Sequence, residues 1–234
     1  MSSPVSSAFW RGLRNAAPFL LVVGPFGVVF GVAGTAAGLN LAEVMGFSIL
    51  VIAGASQFAA LQLMSDNAPT IIVVATALAV NMRMAMYSAS LAPYLGRASV
   101  GKRALVAYFM LDQSYALSAV EYETRPQMSM AERLAYFFGT IIPTGLPWYF
   151  FTLLGATAGR SLPEGLALDF AVPITFLAMI GPMLRTTAHV AAAFTSVVLA
   201  LLLAWMPYNS GLLVAALGAM VVGAQVELWQ KARG

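Results

Sequence analysis

The 234-residue sequence contains no cysteine and a single histidine, His189. Disulfides, thiolate metal sites and cysteine nucleophiles are therefore excluded, and one imidazole with no second His or Cys makes no metal centre. Charge is equally scarce. Asp, Glu, Lys and Arg make up 9% of the chain, against roughly 25% in a soluble domain. The 12 basic residues exceed the 9 acidic ones only slightly, which excludes a nucleic-acid surface and fits basic loops on one side of a membrane. H-E-x-x-H, G-x-S-x-G and a G-x-G-D pair of aspartates are all missing. One histidine and three aspartates leave too little acid–base equipment for an intramembrane protease, and no enzymatic activity is expected.

What fills the chain is apolar. Such residues make up 60%, and the mean hydropathy is +0.84. Eight segments approach the ~20 residues needed to span a bilayer: about 16–38, 42–64, 69–94, 103–121, 134–158, 166–184, 187–206 and 209–228. The first follows Arg11 and Arg14 as a signal peptide's core would, yet it continues past Gly38 with further spans behind it, so it reads as a membrane segment. Pro207 to Gly211 is a turn signal. The longest polar link, Glu121 to Arg133, has too little apolar content for a second domain. The expectation is one membrane-embedded all-α domain over 1–234, surrounded by lipid bilayer.

An internal repeat shows at an offset of 121 residues. Gly24, Phe30, Gly34, Ala37, Gly38, Leu41 and Glu43 recur as Gly145, Phe151, Gly155, Ala158, Gly159, Leu162 and Glu164. Chance produces such identities in Gly/Ala-rich sequence, but the ungapped set matches a construction common in secondary transporters. Repeat 1 covers about 16–95 and repeat 2 about 134–228.

If all eight segments cross and the N-terminus is cytoplasmic, Arg97, Lys102 and Arg103 fall outside, against the positive-inside rule. If 42–64 and 166–184 are instead re-entrant, both termini and most basic residues become cytoplasmic, with only Arg125 and Arg133 outside. The repeats are then inverted. This predicts an inverted-repeat bundle of about six full spans plus two broken or re-entrant segments. The breaks fall at Gly54-Ala55-Ser56 and at Asp169-Phe170-Ala171-Val172-Pro173.

Polar groups at membrane depth persist when buried in protein or lining a wet cavity. Arg83 lies ~16 Å from the Tyr94 end of its segment, and Asp112 ~15 Å beyond Lys102 on the next. On adjacent antiparallel helices the two would pair. A static clip between helices is one reading; substrate-carboxylate attraction by Arg83, or proton uptake by Asp112, is the other. Asp169 is the better coupling carboxylate, or else a helix cap. Ser56 and Gln57 suit an amino-acid head group or ordinary inter-helix hydrogen bonds. Glu43 and Glu164 read as N-terminal helix anchors, and His189 as a satisfied interfacial residue.

Gly54-Ala55-Ser56-Gln57-Phe58, then Asn81-Met82-Arg83 running into Tyr87-Ser88-Ala89-Ser90-Leu91-Ala92-Pro93-Tyr94-Leu95, resembles the AzlC family. Pro25-Phe26-Gly27 with Phe30-Gly31, and Leu168-Asp169-Phe170-Ala171-Val172-Pro173, match as well. The resemblance implies the large subunit of a bacterial exporter of branched-chain amino acids and often methionine. Such a subunit is proton-driven, works with a small hydrophobic AzlD-type partner, and sits in the cytoplasmic membrane. The candidate substrate-binding residues are Gly54, Ala55, Ser56, Gln57, Phe58, Asn81, Arg83, Tyr87 and Ser88. Asp112, Asp169 and Arg83 are the candidate coupling or ion-pair set, with no cofactor and no metal. Two departures stand out: Met84 where the family often has His, and Leu111-Asp112-Gln113 where it has Thr-Asp-Glu. A non-transporting assembly or sensor subunit is the alternative.

Overall fold

In the computed structural model, which describes residues 3–159, 184, 186–207 and 210–232, helix begins well before the first apolar run. Helix α1 (Pro4–Ala16) starts where the Ser3 hydroxyl accepts the Ser6 N–H at 3.2 Å and Pro4 needs no donor. A 3-10 turn, Ala17–Phe19, leads into α2 (Leu20–Ala36). Together they make one apolar helical stretch of 33 residues. Helices α8 (Met130–Thr144) and α9 (Leu146–Gly159) form a second, of 30.

These two stretches pack along their length, and they run parallel. Gly12 meets Tyr136 while Gly139 meets Phe9; further along, Gly31 meets Thr152 while Gly155 meets Val28, and Gly159 meets Val32 and Thr35. In each reciprocal pair the glycine rests on the partner's backbone, an approach that any side chain would block. The inverted relation expected between 16–38 and 134–158 is therefore corrected, since inverted segments run antiparallel. The reason lies in the intervening chain.

The expected span at 103–121 is broken. Helix α5 (Thr70–Leu95) is followed by α6 (Val100–Tyr108) and, after Phe109–Leu111, by α7 (Asp112–Thr124). Along α5 the residues 83, 87, 90 and 94 meet 112, 115, 115 and 122 of α7. The two helices thus run parallel rather than antiparallel, because α6 turns back beside α5 before α7 sets out again. Residues 100–124 are a helical hairpin that returns to the end it left. Ser114 seals its tip, accepting the Leu111 N–H at 2.9 Å and donating to the Phe109 or Leu111 carbonyl. Arg125 and Arg133, expected on the face opposite Arg11, lie at the same end. Glu121 bridges Arg11 at 3.0 Å and Arg125 at 3.3 Å. Arg133 donates to the Tyr94 carbonyl and stands over the Tyr94 and Tyr122 rings.

The segment 42–64 breaks as expected, three residues early. Helix α3 (Leu41–Leu50) opens with a capping box: Asn40 Oδ1 accepts the Glu43 N–H while the Glu43 carboxylate accepts the Asn40 N–H at 2.7 Å, so Glu43 is the anchor it was read as. After Val51–Ala53 comes α4 (Gly54–Ser65). Val44 sits against Gly34 and Phe47 against Phe30, so α3 descends along α2; Gly54 sits against Phe26 and Phe58 against Phe26 and Phe30, so α4 climbs again. This hairpin hangs from the Ala36 end of α2, opposite the end from which α6 and α7 enter.

The described residues fall into two units, Met1–Phe58 with Val80–Leu166, and Ala59–Ala79 with Ala167–Gly234. In the second, α10 (Thr187–Leu202) and α11 (Gly211–Lys231) pack antiparallel, with Gly223 on Ala188 and Ala192, Gly218 on Leu199, and Gln230 donating to Thr187. His189 lies in the first turn of α10, its N–H bonded to the Thr186 hydroxyl. Among the described residues four helical stretches are long and apolar enough to cross a membrane: Pro4–Ala36, Thr70–Leu95, Met130–Gly159 and Gly211–Lys231. The expected break at 166–184, with Asp169, and the repeat residue Glu164 lie outside the described residues.

Candidate functional site

Two helix breaks meet inside the first unit. At the end of α3 the last carbonyls have no helical partner, a liability wherever water is absent. Tyr108, the last residue of α6, supplies the donor: its hydroxyl bonds the Ile49 carbonyl at 2.7 Å and lies 2.8 Å from the Tyr149 hydroxyl. The tips of two hairpins entering from opposite ends are thereby joined by one side chain. Sequence reading missed Tyr108 because the 103–121 run lacks a glycine or proline at its break. The polar Asp112-Gln113-Ser114 start was the available signal.

The residues singled out around Gly54 hold the first tip together. Ser56 and Gln57 are fully buried; the Ser56 hydroxyl donates to the Ala53 carbonyl at 3.0 Å, and Gln57 Nε2 donates to Ser48 Oγ at 3.1 Å across the hairpin. Gln57 Oε1 remains buried with no hydrogen-bond partner. Gly54 has the Phe26 and Trp148 rings against its backbone, Ala55 is half-buried beside it, and Phe58 closes an aromatic cluster of Phe26, Phe30, Phe47 and Trp148 with centroids 4.9–6.0 Å apart. Aromatic rings of this size supply much of a core's buried area. Ser48 was not foreseen.

The second group is the Arg83–Asp112 pair that the depth match anticipates, with Tyr87 one turn beyond Arg83 on α5. Arg83 Nε lies 3.2 Å from Asp112 Oδ1, with the side chains 28% and 44% exposed. Neither atom is aligned for a hydrogen bond, and the buried Oδ1 of Asn81, two residues from Arg83, also has no partner. The contact is a charge pair with unused donor and acceptor capacity. Tyr87 stacks on Tyr115, 4.1 Å apart at 11°, and the Tyr115 hydroxyl donates to Ser90 at 3.2 Å. Ser88 is exposed and lines a cleft of about 230 Å³ between α5 and α6. Charges at this depth are expensive against lipid, by at least ~2.5–3.5 kcal/mol each, unless paired or wetted. Among the described residues no cluster of His, Cys, Asp or Glu is arranged to hold a metal ion.

Long apolar helices, interrupted helical hairpins and an embedded ion pair define a multi-pass membrane protein. The AzlC family model matches residues 18–162, and the chain belongs to the AzlC family. It is 27% identical to the inner membrane protein YgaZ of Escherichia coli (strain K12) over 184 residues, covering 76% of this chain and 74% of that one. It is 29% identical over 200 residues to an uncharacterized membrane protein of Archaeoglobus fulgidus, covering 84% of each. No solved structure matches it.

Proposed function

We propose that this chain is the large subunit of a secondary transporter, without enzymatic activity, that exports valine, leucine, isoleucine and methionine across the bacterial cytoplasmic membrane. The observation that carries the proposal is the meeting of two opposed hairpin tips at Tyr108 and Ile49, in the same unit as the Arg83–Asp112 pair. Irregular backbone at membrane depth is tolerated where it is buried in protein or lines a cavity, and broken helices build the substrate sites of secondary transporters. A charge pair with spare bonding capacity suits a zwitterion. Residues 41–65 and 100–124 are the re-entrant elements in this reading, entering from opposite faces. The end carrying Arg11, Arg97, Lys102, Arg103, Arg125 and Arg133 is cytoplasmic by the positive-inside rule.

Family membership supports the transport class, and the resemblance supports a small AzlD-type partner and proton coupling. Asp169 remains the coupling carboxylate proposed from sequence. The test is flux of labelled leucine from liposomes under an imposed proton gradient, with the chain alone and with its small partner. Gradient-dependent flux is expected, and it is lost in Asp169→Asn with expression intact. No flux of any of the four amino acids in either preparation rejects the proposal and favours an assembly or sensor subunit.

A further inference from the structure

We infer that the cleft between α6 and the C-terminal half of α5 holds one anionic glycerophospholipid. Its phosphate sits on Arg103 and Lys102, and an acyl chain lies along the cleft. Helix α5 presents residues 83, 87, 90 and 94 to α7 and, on another face, 88, 91, 92 and 95 to the cleft. The site is therefore separate from the Arg83–Asp112 pair, and it is independent of what the chain carries. From Ser88 to Gly96 the cleft follows α5 for ~12 Å, and it encloses about 230 Å³. Leu91, Leu95, Val106 and Met110 form its floor, each at most 5% exposed, while Ala92 and Ala107 at its edges are open. Between Ser88 and Arg103 no polar side chain lines it. Elongated and aliphatic, it suits an extended hydrocarbon chain.

The charges stand at one end only. Arg103 lines the mouth and donates Nη1 to the Gly96 carbonyl at 3.3 Å, which leaves Nε and Nη2 without a partner among the described residues. Arg97, Lys102 and Arg103 are all exposed, and none makes an ion pair among the described residues. Lys102 and Arg103 lie in the first turn of α6, which carries no acidic residue and whose Ser99 cap makes no side-chain bond. Cations are unfavourably placed at the positive end of a helix, so an added anion relieves the arrangement. Basic pockets between membrane helices on the cytoplasmic side recognise anionic head groups, and the Gly96 end is the one read above as cytoplasmic. A free phosphate satisfies the charges and leaves the aliphatic floor uncovered, and an uncharged lipid does the reverse. An anionic lipid meets both.

The test is lipid retention by the detergent-purified full-length chain, read by native mass spectrometry with dioleoyl phosphatidylglycerol against dioleoyl phosphatidylcholine. The unaltered chain is expected to prefer phosphatidylglycerol at least ~5-fold, the factor for about 1 kcal/mol per basic side chain at a membrane surface. Lys102→Gln with Arg103→Gln is expected to abolish that preference. Ala107→Leu, which fills the cleft, is expected to weaken both lipids ~4-fold or more, the factor for about 0.8 kcal/mol per displaced methylene. All three positions are exposed, so melting temperatures are expected to stay unchanged. Glycerol phosphate, which has the anion and no acyl chain, is expected not to compete at equal concentration; full competition by it makes this a phosphate site and overturns the inference. Equal retention of the two lipids by the unaltered chain overturns it too and leaves the cleft to an apolar partner helix. A preference that survives the double glutamine variant, or retention unaffected by Ala107→Leu, puts the lipid elsewhere and also overturns it. None of these outcomes bears on the export reading.

Discussion

Truncating the two ends of the Arg83–Asp112 pair separately and together distinguishes a structural clip from a site that handles substrate. Two unit charges ~4 Å apart attract by about 4 kcal/mol at an effective dielectric of 20, and desolvation removes most of that. Exposed pairs contribute a net 0.2–1 kcal/mol in general. Removing one partner of a buried pair costs about 3–5 kcal/mol. With side chains 28% and 44% exposed and Nε–Oδ1 at 3.2 Å, this pair falls between the limits. Arg83→Ala or Asp112→Ala alone is expected to lower stability by about 1–3 kcal/mol, because each strands the opposite charge. The double variant recovers most of that loss, since no charge is left unpaired. Thermal unfolding of the four proteins in detergent measures the cycle, and leucine flux is measured on the same preparations. Flux is expected to be absent in all three variants, including the stable double one. A double variant that transports at the unaltered rate refutes a substrate role for the pair and leaves only the clip.

The hairpin at 100–124 predicts sidedness, and the cysteine-free sequence makes that easy to read. Single cysteines at Ser99 and Gln127 are expected to react with an impermeant maleimide from the same face of sealed vesicles, and one at Leu39 from the other; reaction of Ser99 and Gln127 from opposite faces sinks the hairpin. Gly31→Ala places a methyl where the Thr152 carbonyl and the Ala156 N–H already sit. Backbone cannot rotate aside, so a loss of about 1–3 kcal/mol or more is expected in detergent melts. The double variant with Gly155→Ala costs less than the sum, since one separation relieves both clashes; full additivity contradicts the reciprocal contact. Tyr108→Phe removes the donor from the Ile49 carbonyl in a contact at the surface of the unit, at about 0.5–1.5 kcal/mol. Hydrogen exchange is expected to quicken in residues 49–54 and to stay unchanged in α8 and α9. Uniform protection across both regions counts against the tip contact.

The long apolar runs at 16–38, 69–94, 134–158 and 209–228 were legible because lipid imposes length and composition on a helix regardless of its neighbours. The break near Gly54 was legible for a similar local reason: a small residue, a hydroxyl and an amide in sequence do not suit lipid. The hairpin at 100–124 was not. Phe109-Met110-Leu111 carries no turn residue, and the reversal is stabilised by contacts remote in sequence, such as Tyr87 on Tyr115 and Tyr108 on Ile49. That omission propagated. With 103–121 taken as a crossing, α9 had to oppose α2, the repeats had to be inverted, and Arg125 and Arg133 had to stand alone on the far side. The depth match of Arg83 and Asp112 survived, because it depended only on distance from the Gly96–Ser99 link.

The two kinds of contact in this unit divide rigidity from motion. α1–α2 and α8–α9 are joined backbone to backbone at glycines, and no side-chain rotation can loosen such a seam. The two hairpin tips are joined to each other by one side-chain bond, Tyr108 to Ile49, between residues at the surface of the unit. A bond of that kind contributes a net ~0.5–1.5 kcal/mol, small enough to break and re-form in a working cycle. Local opening is drawn from such low-stability contacts. In the transport reading proposed above, movement of the hairpins against the fixed pair of parallel helices is the expected conformational step. In that reading, substrate that neutralises Arg83 and Asp112 supplies the differential binding energy for the step.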